Sequence, residues 1–325
     1  MSAAARLLNG RFLKAMEDAP ADTGLGRLRK IWWPHFIAAL GDGKSLDSLN
    51  SLDLFMNSGR EHLQAMALEY AMANAPDDDS AKQRQLRTQF LKSNTGKMFE
   101  RFAGLAIAKT LHVRDADYCL LPFKTEFLNC CPGLTREALT VTIALGTLRL
   151  ATPVDADLFA FNPTNADADL FLISVKSTLK DRFHNVPFWN LLRRCAISPD
   201  FPDLVASNEK LLRHLKYVAI CTDLADEQPD FLSVKGPRNL LQIDAALLDG
   251  AFITASKAQG IRLDGDHIGP NRLDAFHWLS RFVDGLITPT KLAEVIAGDE
   301  SPIAGVNEVV LESQISEVAS DSGPE

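Results

Sequence analysis

Apolar residues recur with two different spacings along this chain of 325 residues. Spacings of three and four positions, which are typical of amphipathic helices, run through residues 60–74 and from about Ser93 to Leu111. Short alternating or continuous apolar runs, which are typical of strands, cover Thr140–Leu145, Leu158–Phe161, Leu170–Val175 and Lys216–Thr222. Helices interspersed with such strands predict an α/β core.

A turn signal separates the two strands in the middle of the chain. The segment Asn162–Asn165 reads Asn-Pro-Thr-Asn, and these residue types favour turns. The strands on either side of it are therefore expected to form a hairpin within the main sheet. Further along, the sequence predicts a helix from near Pro187 to Cys195, because proline is favoured in a first helical turn. The remaining predicted elements are helices over Leu204–Leu215 and Leu273–Ile287, and a strand over Asn239–Asp244 followed by the apolar run Leu247–Ile253.

Composition divides the chain into three parts. Residues 1–92 are expected to form a helical N-terminal lobe, and residues 93–296 the α/β core. Residues 297–325 contain seven acidic residues and no basic one, so this tail is expected to be disordered. The longest apolar runs are too short to span a membrane, and the N-terminus lacks the apolar segment of a secretory signal. We therefore expect a cytoplasmic protein with no membrane partner.

The charge distribution bears on a nucleic-acid partner. The net charge of −8 argues against such a partner, since phosphate binding needs local positive potential. However, eight basic and four acidic residues lie between Ser174 and Lys216. This basic segment favours a nucleic-acid surface in the middle of the chain.

Three residues in this region have the chemistry for phosphodiester hydrolysis. Asp157 precedes the first hairpin strand, and Lys176 ends the second. Glu100 lies in line with the small and apolar residues of the predicted Ser93–Leu111 helix, so it is expected to face the sheet; the alternative is a solvated glutamate at the edge of that stripe. Hydrolysis of this kind uses divalent cations held by carboxylates, together with a cation near the attacking water or the phosphate. Asp157 suits Mg²⁺ binding, and Lys176 could either orient the attacking water or stabilise the developing charge on phosphorus.

These residues resemble a known nuclease superfamily. The segment Val154–Asp157, the Ser174-Val175-Lys176 tripeptide and a helix carrying Glu100 are similar to the PD-(D/E)xK motif and its upstream helix. Ser174 in place of the usual acid resembles the CCGG-recognising group of type II restriction endonucleases, in which a displaced glutamate completes the metal site. That glutamate follows the lysine by about a dozen residues, where this chain has Phe188 and Trp189.

The resemblance implies a catalytic set and a metal site. Asp157, Lys176, Glu100 and Ser174 would form the catalytic set, with Mg²⁺ as the cofactor. Asp157 and a second acid would bind the metal. Glu100 is the first candidate for this second acid, and Asp169 and Asp155 are the alternatives.

The resemblance also implies a fold, a substrate and an oligomeric state. The fold would be a restriction-endonuclease-like core with a central mixed sheet flanked by helices, and the substrate would be double-stranded DNA. Lys180, Asp181 and Arg182 would read bases, since arginine can bind guanine while aspartate accepts from cytosine. Arg193 and Arg194 would add DNA contacts. A palindromic target would imply a homodimer. The alternatives are a repair or recombination nuclease on the same fold and a catalytically inactive DNA-binding protein.

Overall fold

The computed structural model describes residues 3–17, 63–75, 79–145, 147–178, 185–223, 245–254, 262–263, 272–273 and 276–288. Residues 63–74 are helical, and the other helices are α1 (Ala3–Glu17), α2 (Ser80–Val113), α3 (Thr125–Leu128), α4 (Asn185–Ala196), α5 (Glu209–His214) and α6 (Leu279–Ile287). The strands are β1 (Cys119–Pro122), β2 (Thr140–Leu145), β3 (Leu148–Pro153), β4 (Leu158–Phe161), β5 (Leu170–Thr178), β6 (Leu204–Ala206), β7 (Leu215–Asp223), β8 (Gly250–Ile253), β9 (Arg262–Leu263), β10 (Arg272–Leu273) and β11 (His277–Trp278).

A mixed sheet of six strands forms the centre of the molecule, in the order β1-β4-β5-β7-β8-β11. β4 is antiparallel to both of its neighbours, β1 and β5. β5, β7, β8 and β11 are parallel to one another. A smaller antiparallel sheet has the order β3-β2-β6. The structure thus confirms the predicted α/β class, with a mixed central sheet flanked by helices.

The hairpin predicted around the Asn162–Asn165 turn is confirmed. β4 and β5 pair antiparallel with Leu158 opposite Ile173. The predicted strand over Lys216–Thr222 is also confirmed as part of β7, which runs beside β5 in parallel. The central hairpin therefore lies inside the main sheet, as the sequence predicts.

Two helix predictions are wrong at their N-terminal ends. The segment Leu204–Ala206 is a strand that pairs with β2, and helix α5 begins only after Asn208, whose Oδ1 accepts from the backbone N–H of Leu211 at 3.1 Å. Similarly, His277–Trp278 is added to β8 as a parallel strand before α6 begins. In both cases a neighbouring strand edge offers backbone hydrogen bonds that a local apolar pattern does not reveal. The predicted strand Asn239–Asp244 lies outside the described residues.

Helix α2 begins well before the predicted Ser93. Asp79 caps its N-terminus, since its Oδ1 accepts from the backbone N–H of Lys82 at 2.8 Å. The helix thus crosses the predicted boundary between residues 92 and 93. Ala5 and Phe12 of α1 belong to the same hydrophobic core as the central sheet, so this part of the N-terminal segment packs on that sheet. Residues 297–325 lie outside the described part of the chain.

Neither α2 nor any other helix among the described residues is long and apolar enough to cross a membrane.

Helix α2 approaches β4 closely at Gly104. A Cβ atom at this position would lie 3.3 Å from Cδ2 of Leu158, which is tight for a carbon–carbon contact. Glu100 lies one helical turn before Gly104, and Asp157 immediately precedes Leu158. The close approach at Gly104 therefore positions Glu100 near the start of β4.

Asn9 of α1 joins this helix to the edge of the central sheet. Its side chain is 1% exposed; Nδ2 donates to the carbonyl oxygen of Tyr118 at 3.1 Å, and Oδ1 accepts from the backbone N–H of Leu120 at 3.0 Å. β1 is an edge strand, so these backbone groups have no strand partner on that side. Asn9 satisfies them.

We expect Asn9→Ala to lower the free energy of unfolding by about 2–4 kcal/mol, because two buried backbone groups lose their partner. Urea unfolding followed by circular dichroism measures this change. The matched control is Asn74→Ala, which removes an exposed side-chain hydrogen bond to the carbonyl oxygen of Tyr70 and should cost less than about 0.5 kcal/mol. Equal effects of the two substitutions would contradict the role given to Asn9.

Candidate active site

The backbone of Asp157 is held between two strands. Its N–H donates to the carbonyl oxygen of Ile173 on β5 at 3.0 Å, and its carbonyl oxygen accepts from the N–H of Phe123, just after β1, at 3.0 Å. The pairing of β4 with β5 begins at the next residue, Leu158. Asp157 is thus fixed at the point where the hairpin ends and β5 continues without a β4 partner.

The carboxylate of Asp157 takes the place of that missing strand partner. Its Oδ2 accepts from the backbone N–H of Val175 at 2.6 Å, from Nζ of Lys176 at 2.9 Å and from Oγ of Ser174 at 3.4 Å. The side chains of Asp157 and Lys176 are 24% and 27% exposed, whereas Ser174 is buried. An ion pair that is half-buried and supported by a backbone N–H is more constrained than a pair on an open surface.

The Ser-x-Lys tripeptide presents two side chains to the same side of the sheet. Side chains alternate along a strand, so Ser174 and Lys176 point to one face and Val175 to the other. β7 runs parallel to β5 with Cys221 paired to Lys176, which fixes the lysine inside the sheet rather than on a free edge. The geometry brings together Asp157, Ser174 and Lys176, as the sequence predicts.

Glu100 reaches the same region from helix α2. Burial raises the pKa of its carboxyl group above the ordinary value, and the negative charge of Asp157 raises it further. Among the described residues, no hydrogen bond or ion pair is made by the Glu100 side chain. A half-buried carboxylate close to a second carboxylate is unfavourable when ionised, so this position favours either a proton or a bound cation.

Two further cations contribute to this electrostatic environment. The charges of Arg101 and Lys124, together with that of Lys176, lower the pKa of Glu100 and so offset part of its rise. Arg101 has a buried Nη1 with no hydrogen-bond partner among the described residues, and burial lowers its pKa. Lys124 is exposed, one residue after the Phe123 that binds Asp157. Sequence reasoning missed both residues, and only the pairing of β1 with β4 brings Lys124 here.

The two alternative acids occupy different places. Asp169 precedes β5, whereas Ser174 lies towards its other end, so five residues of extended chain, about 16 Å, separate Asp169 from the Asp157 contact. Asp169 is instead beside Tyr118, whose hydroxyl donates to its carbonyl oxygen at 3.2 Å. Asp155 is exposed; burial raises the pKa of Tyr217, and the charges of Asp155 and Asp157 raise it further. Glu100 is therefore the better placed second acid.

The two carboxylates suit a magnesium ion. Within the described part of the chain, Oδ1 of Asp157 accepts no hydrogen bond, and Glu100 has no partner. Mg²⁺ is commonly bound through one or two carboxylates, while water and substrate phosphate oxygens complete its coordination. No group of three or more His, Cys, Asp or Glu side chains that could hold a metal is found among the residues searched, which are those that the structure describes. A site for Mg²⁺ here would thus depend on Asp157, Glu100 and oxygen ligands from water or substrate.

Arg193 and Arg194, which the sequence suggests as DNA contacts, bind Asp249 instead. Arg193 is 4% exposed, and its donors reach Asn190 at 2.8 Å, the carbonyl oxygen of Leu212 at 3.0 Å and Asp249 at 3.1 Å. Arg194 donates to Asp249 at 2.9 Å but is 45% exposed. A buried arginine with its donors satisfied has no group left for a phosphate. Arg193 is therefore too deeply buried to contact DNA, whereas the DNA contact of Arg194 stays a prediction.

Lys180, Asp181 and Arg182 lie outside the described residues. The structure does place the end of β5, at Thr178, two residues after Lys176 and two before Lys180. Their predicted role in base recognition stays a prediction.

The raised pKa of Glu100 leads to a test by pH. The pKa of Glu100 in the folded protein lies above the ordinary value of 4.5. The contribution of neutral Glu100 to the free energy of unfolding is therefore complete below pH 4.5 and is lost as the pH rises through the raised pKa. Glu100→Gln, which mimics the neutral form, should therefore be more stable than the wild type at neutral pH, by about 1.4 kcal/mol for each unit of the rise. The two proteins should converge below about pH 4.

Urea unfolding at a series of pH values in the presence of a chelator measures this difference. Glu69→Gln, at an exposed position of the helix over residues 63–74, is the matched control, because it makes the same chemical change on the surface of the protein. If the wild type instead became more stable than Glu100→Gln as the pH rises, this would contradict the burial and the nearby negative charge that raise the pKa of Glu100.

No protein-family model matches the chain, and no curated protein matches it. The site is therefore defined by its own geometry: the Asp157–Lys176 pair at the start of β4, with Glu100 beside it on α2.

Proposed function

We propose that the protein is a Mg²⁺-dependent type II restriction endonuclease that hydrolyses phosphodiester bonds in double-stranded DNA. The observation that carries the proposal is the contact between Lys176 and Asp157 at 2.9 Å, next to the half-buried Glu100. Two carboxylates and one lysine at one place could hold a divalent cation beside a donor for the attacking water or the phosphate, as metal-assisted hydrolysis of a phosphodiester uses them.

The order of the elements supports a restriction-endonuclease-like core. Helix α2 carries Glu100, β4 follows Asp157, and β5 carries the Ser-x-Lys tripeptide. The PD-(D/E)xK superfamily, which the sequence resembles, has the same three parts. Here Ser174, Val175 and Lys176 all donate to one carboxylate oxygen, Oδ2 of Asp157, and Glu100 is near enough for its carboxyl group to interact with the charge of Asp157. This arrangement supports the proposal more strongly than the short motif alone.

Each residue has a defined role in the proposed reaction. Mg²⁺, bound by Asp157 and Glu100, would stabilise negative charge on the phosphoryl oxygens. Glu100 would release its proton when the ion binds, since metal ligands must be deprotonated. Lys176 would orient the attacking water: its ammonium group has three donors, and Asp157 engages one. The water oxygen would bond to phosphorus and give up one proton to solvent while one phosphate ester bond breaks, and the leaving oxygen would take one proton from solvent.

Ser174 would act through Asp157. Its hydroxyl oxygen lies 3.4 Å from Oδ2 of Asp157, at the position where the superfamily usually has a second acid. A buried hydroxyl donor at this position helps to hold the carboxylate of Asp157 in place. Ser174 is thus proposed as a positioning residue rather than as a ligand.

Sequence recognition is assigned to the segment after β5. Lys180, Asp181 and Arg182 would read bases at a G/C-containing site, since arginine binds guanine and aspartate accepts from cytosine. Arg194, half exposed on α4, would contact the phosphate backbone. A palindromic target would be bound by a homodimer, because the symmetry of the protein then matches that of the site.

A DNA-binding protein without cleavage activity is the second candidate. The observation that favours it is Ser174 itself, since a serine replaces the usual acid and leaves the described site with two carboxylates near Lys176. Such a protein would bind DNA but would not need Mg²⁺.

The direct test is cleavage of plasmid and genomic DNA by the purified protein with Mg²⁺. We expect discrete fragments that share one sequence at their ends. Lys176→Ala should lower the cleavage rate by about 10²–10³-fold, as the loss of a charge-stabilising donor does in other enzymes. Lys82→Ala is the control, because this exposed lysine is 18 residues from Glu100 on the same helix, about 27 Å away.

The outcomes separate the candidates. Cleavage of branched DNA without sequence-dependent fragments would indicate a repair or recombination nuclease. DNA binding without cleavage, unchanged in Lys176→Ala, would indicate the inactive DNA-binding protein. Intact DNA and no binding across many sequences would overturn the proposed function.

A further inference from the structure

A pocket lies at the opposite end of the β4–β5 hairpin from Asp157. β4 separates the two, and five residues of extended chain from Asp157 to Asn162 correspond to about 16 Å. The pocket has a volume of about 240 Å³, which suits a small organic molecule. Its lining residues come from three distant segments of the chain: Cys131, Pro132 and Gly133; Phe161, Asn162, Pro163, Asn165, Ala166, Ala168 and Leu170; Asn208, Lys210, Leu211 and His214.

Three asparagines give the pocket hydrogen-bond donors. Oδ1 of Asn162 accepts from the backbone N–H of Thr164 at 3.0 Å, Oδ1 of Asn165 from that of Asp167 at 3.1 Å, and Oδ1 of Asn208 from that of Leu211 at 3.1 Å. Because each side-chain carbonyl oxygen already accepts from a backbone N–H of its own turn, the side-chain groups left are the Nδ2 amide groups, which are donors. Within the described part of the chain, none of the three Nδ2 groups has a hydrogen-bond partner.

The charge of the lining residues is positive. Lys210 and His214 are four residues apart on α5, so they lie on the same side of that helix. The lining residues include no aspartate or glutamate. Glu209, the acid next to Lys210, is engaged by Arg213 in an exposed ion pair. Asp167 and Asp169 flank Ala168 in the chain but do not line the pocket.

The pocket also has an apolar floor. Phe161 and Leu170 are 3% and 4% exposed, and Ala168 and Leu211 lie beside them in the lining. Burial raises the pKa of the Cys131 thiol to about 12, so this group is neutral and adds to the weakly polar surface. An apolar floor with donors and a cation around it is the arrangement that binds an amphipathic anion.

We propose that this pocket binds a small organic anion, with its apolar body on Phe161 and Leu170 and its carboxylate or phosphate group at Lys210 and the Nδ2 amide groups of the asparagines. The ligand would lie on the side of the hairpin away from Asp157 and Lys176. The proposal is independent of the proposed DNA cleavage, and it assigns the protein a ligand that is not its DNA substrate.

Isothermal titration calorimetry with simple probes tests this binding on the full chain. Benzoate and phenyl phosphate should both bind, and the stronger of the two identifies the preferred head group. Benzyl alcohol has the same ring without the charge and should bind at least about tenfold more weakly, because it loses a charge-assisted hydrogen bond. Inorganic phosphate, which lacks the apolar body, should also bind more weakly than phenyl phosphate.

Three variants show whether the probes occupy this pocket. Lys210→Ala, at an exposed position, should weaken benzoate binding by about tenfold, and Ala166→Trp should block it by filling the pocket from its exposed rim. Lys92→Ala, an exposed lysine on α2 that does not line the pocket, should bind as the wild type does. Thermal unfolding curves verify that each variant is folded.

No heat with either anionic probe, or equal binding of benzoate and benzyl alcohol, would overturn the proposal. Binding that is unchanged in both Lys210→Ala and Ala166→Trp would do so as well, since the probe would then lie elsewhere. Because these measurements involve no DNA, their failure leaves the cleavage test unaffected.

Discussion

The candidate active site depends on the place where β4 stops pairing with β5. If the ladder continued by two more residues, the N–H of Val175 would bind a backbone carbonyl and the carboxylate of Asp157 would point elsewhere. Instead, the ladder begins at Leu158, and Asp157 uses its own side chain to satisfy the next donor on β5 at 2.6 Å. The same oxygen then receives Lys176. One carboxylate thus satisfies a backbone donor of β5 and also forms the contact with Lys176 on which the proposed function depends.

Glu100 would keep the proposed site ready for a cation at a cost in stability. Its helix is drawn against β4 by the small residue Gly104, and the carboxyl group is carried into a half-buried position near Asp157. Burial and like charge raise its pKa, which means that the ionised form opposes folding. Arg101, Lys124 and Lys176 offset part of this repulsion. A divalent cation between the carboxylates would relieve the rest, because it replaces a repulsion by two attractions.

Local patterns in the sequence predict the hairpin and the residues that it presents. The Asn162–Asn165 turn and the apolar runs beside it specify β4 and β5, and alternation then places Ser174 and Lys176 on one face. Helical spacing also indicates that Glu100 faces the sheet. Other features depend on partners distant in sequence. The strand at Leu204–Ala206 forms because β2 offers an edge, and Lys124 joins the site because β1 pairs with β4. The buried contacts between Arg193 and Asp249 likewise cannot be predicted from the number of charged residues, because that number does not show which arginines of the basic segment are buried.

The central claim is that Asp157 and Glu100 together bind a divalent cation. Crystals soaked in Mn²⁺, which shares the preference of Mg²⁺ for oxygen ligands, would show the ion directly by anomalous diffraction. We expect a peak in contact with the carboxylates of both Asp157 and Glu100, and we expect Asp157→Asn to abolish it. A peak at Asp155 or Asp169 instead, or no peak near Asp157 at saturating Mn²⁺, would contradict the central claim.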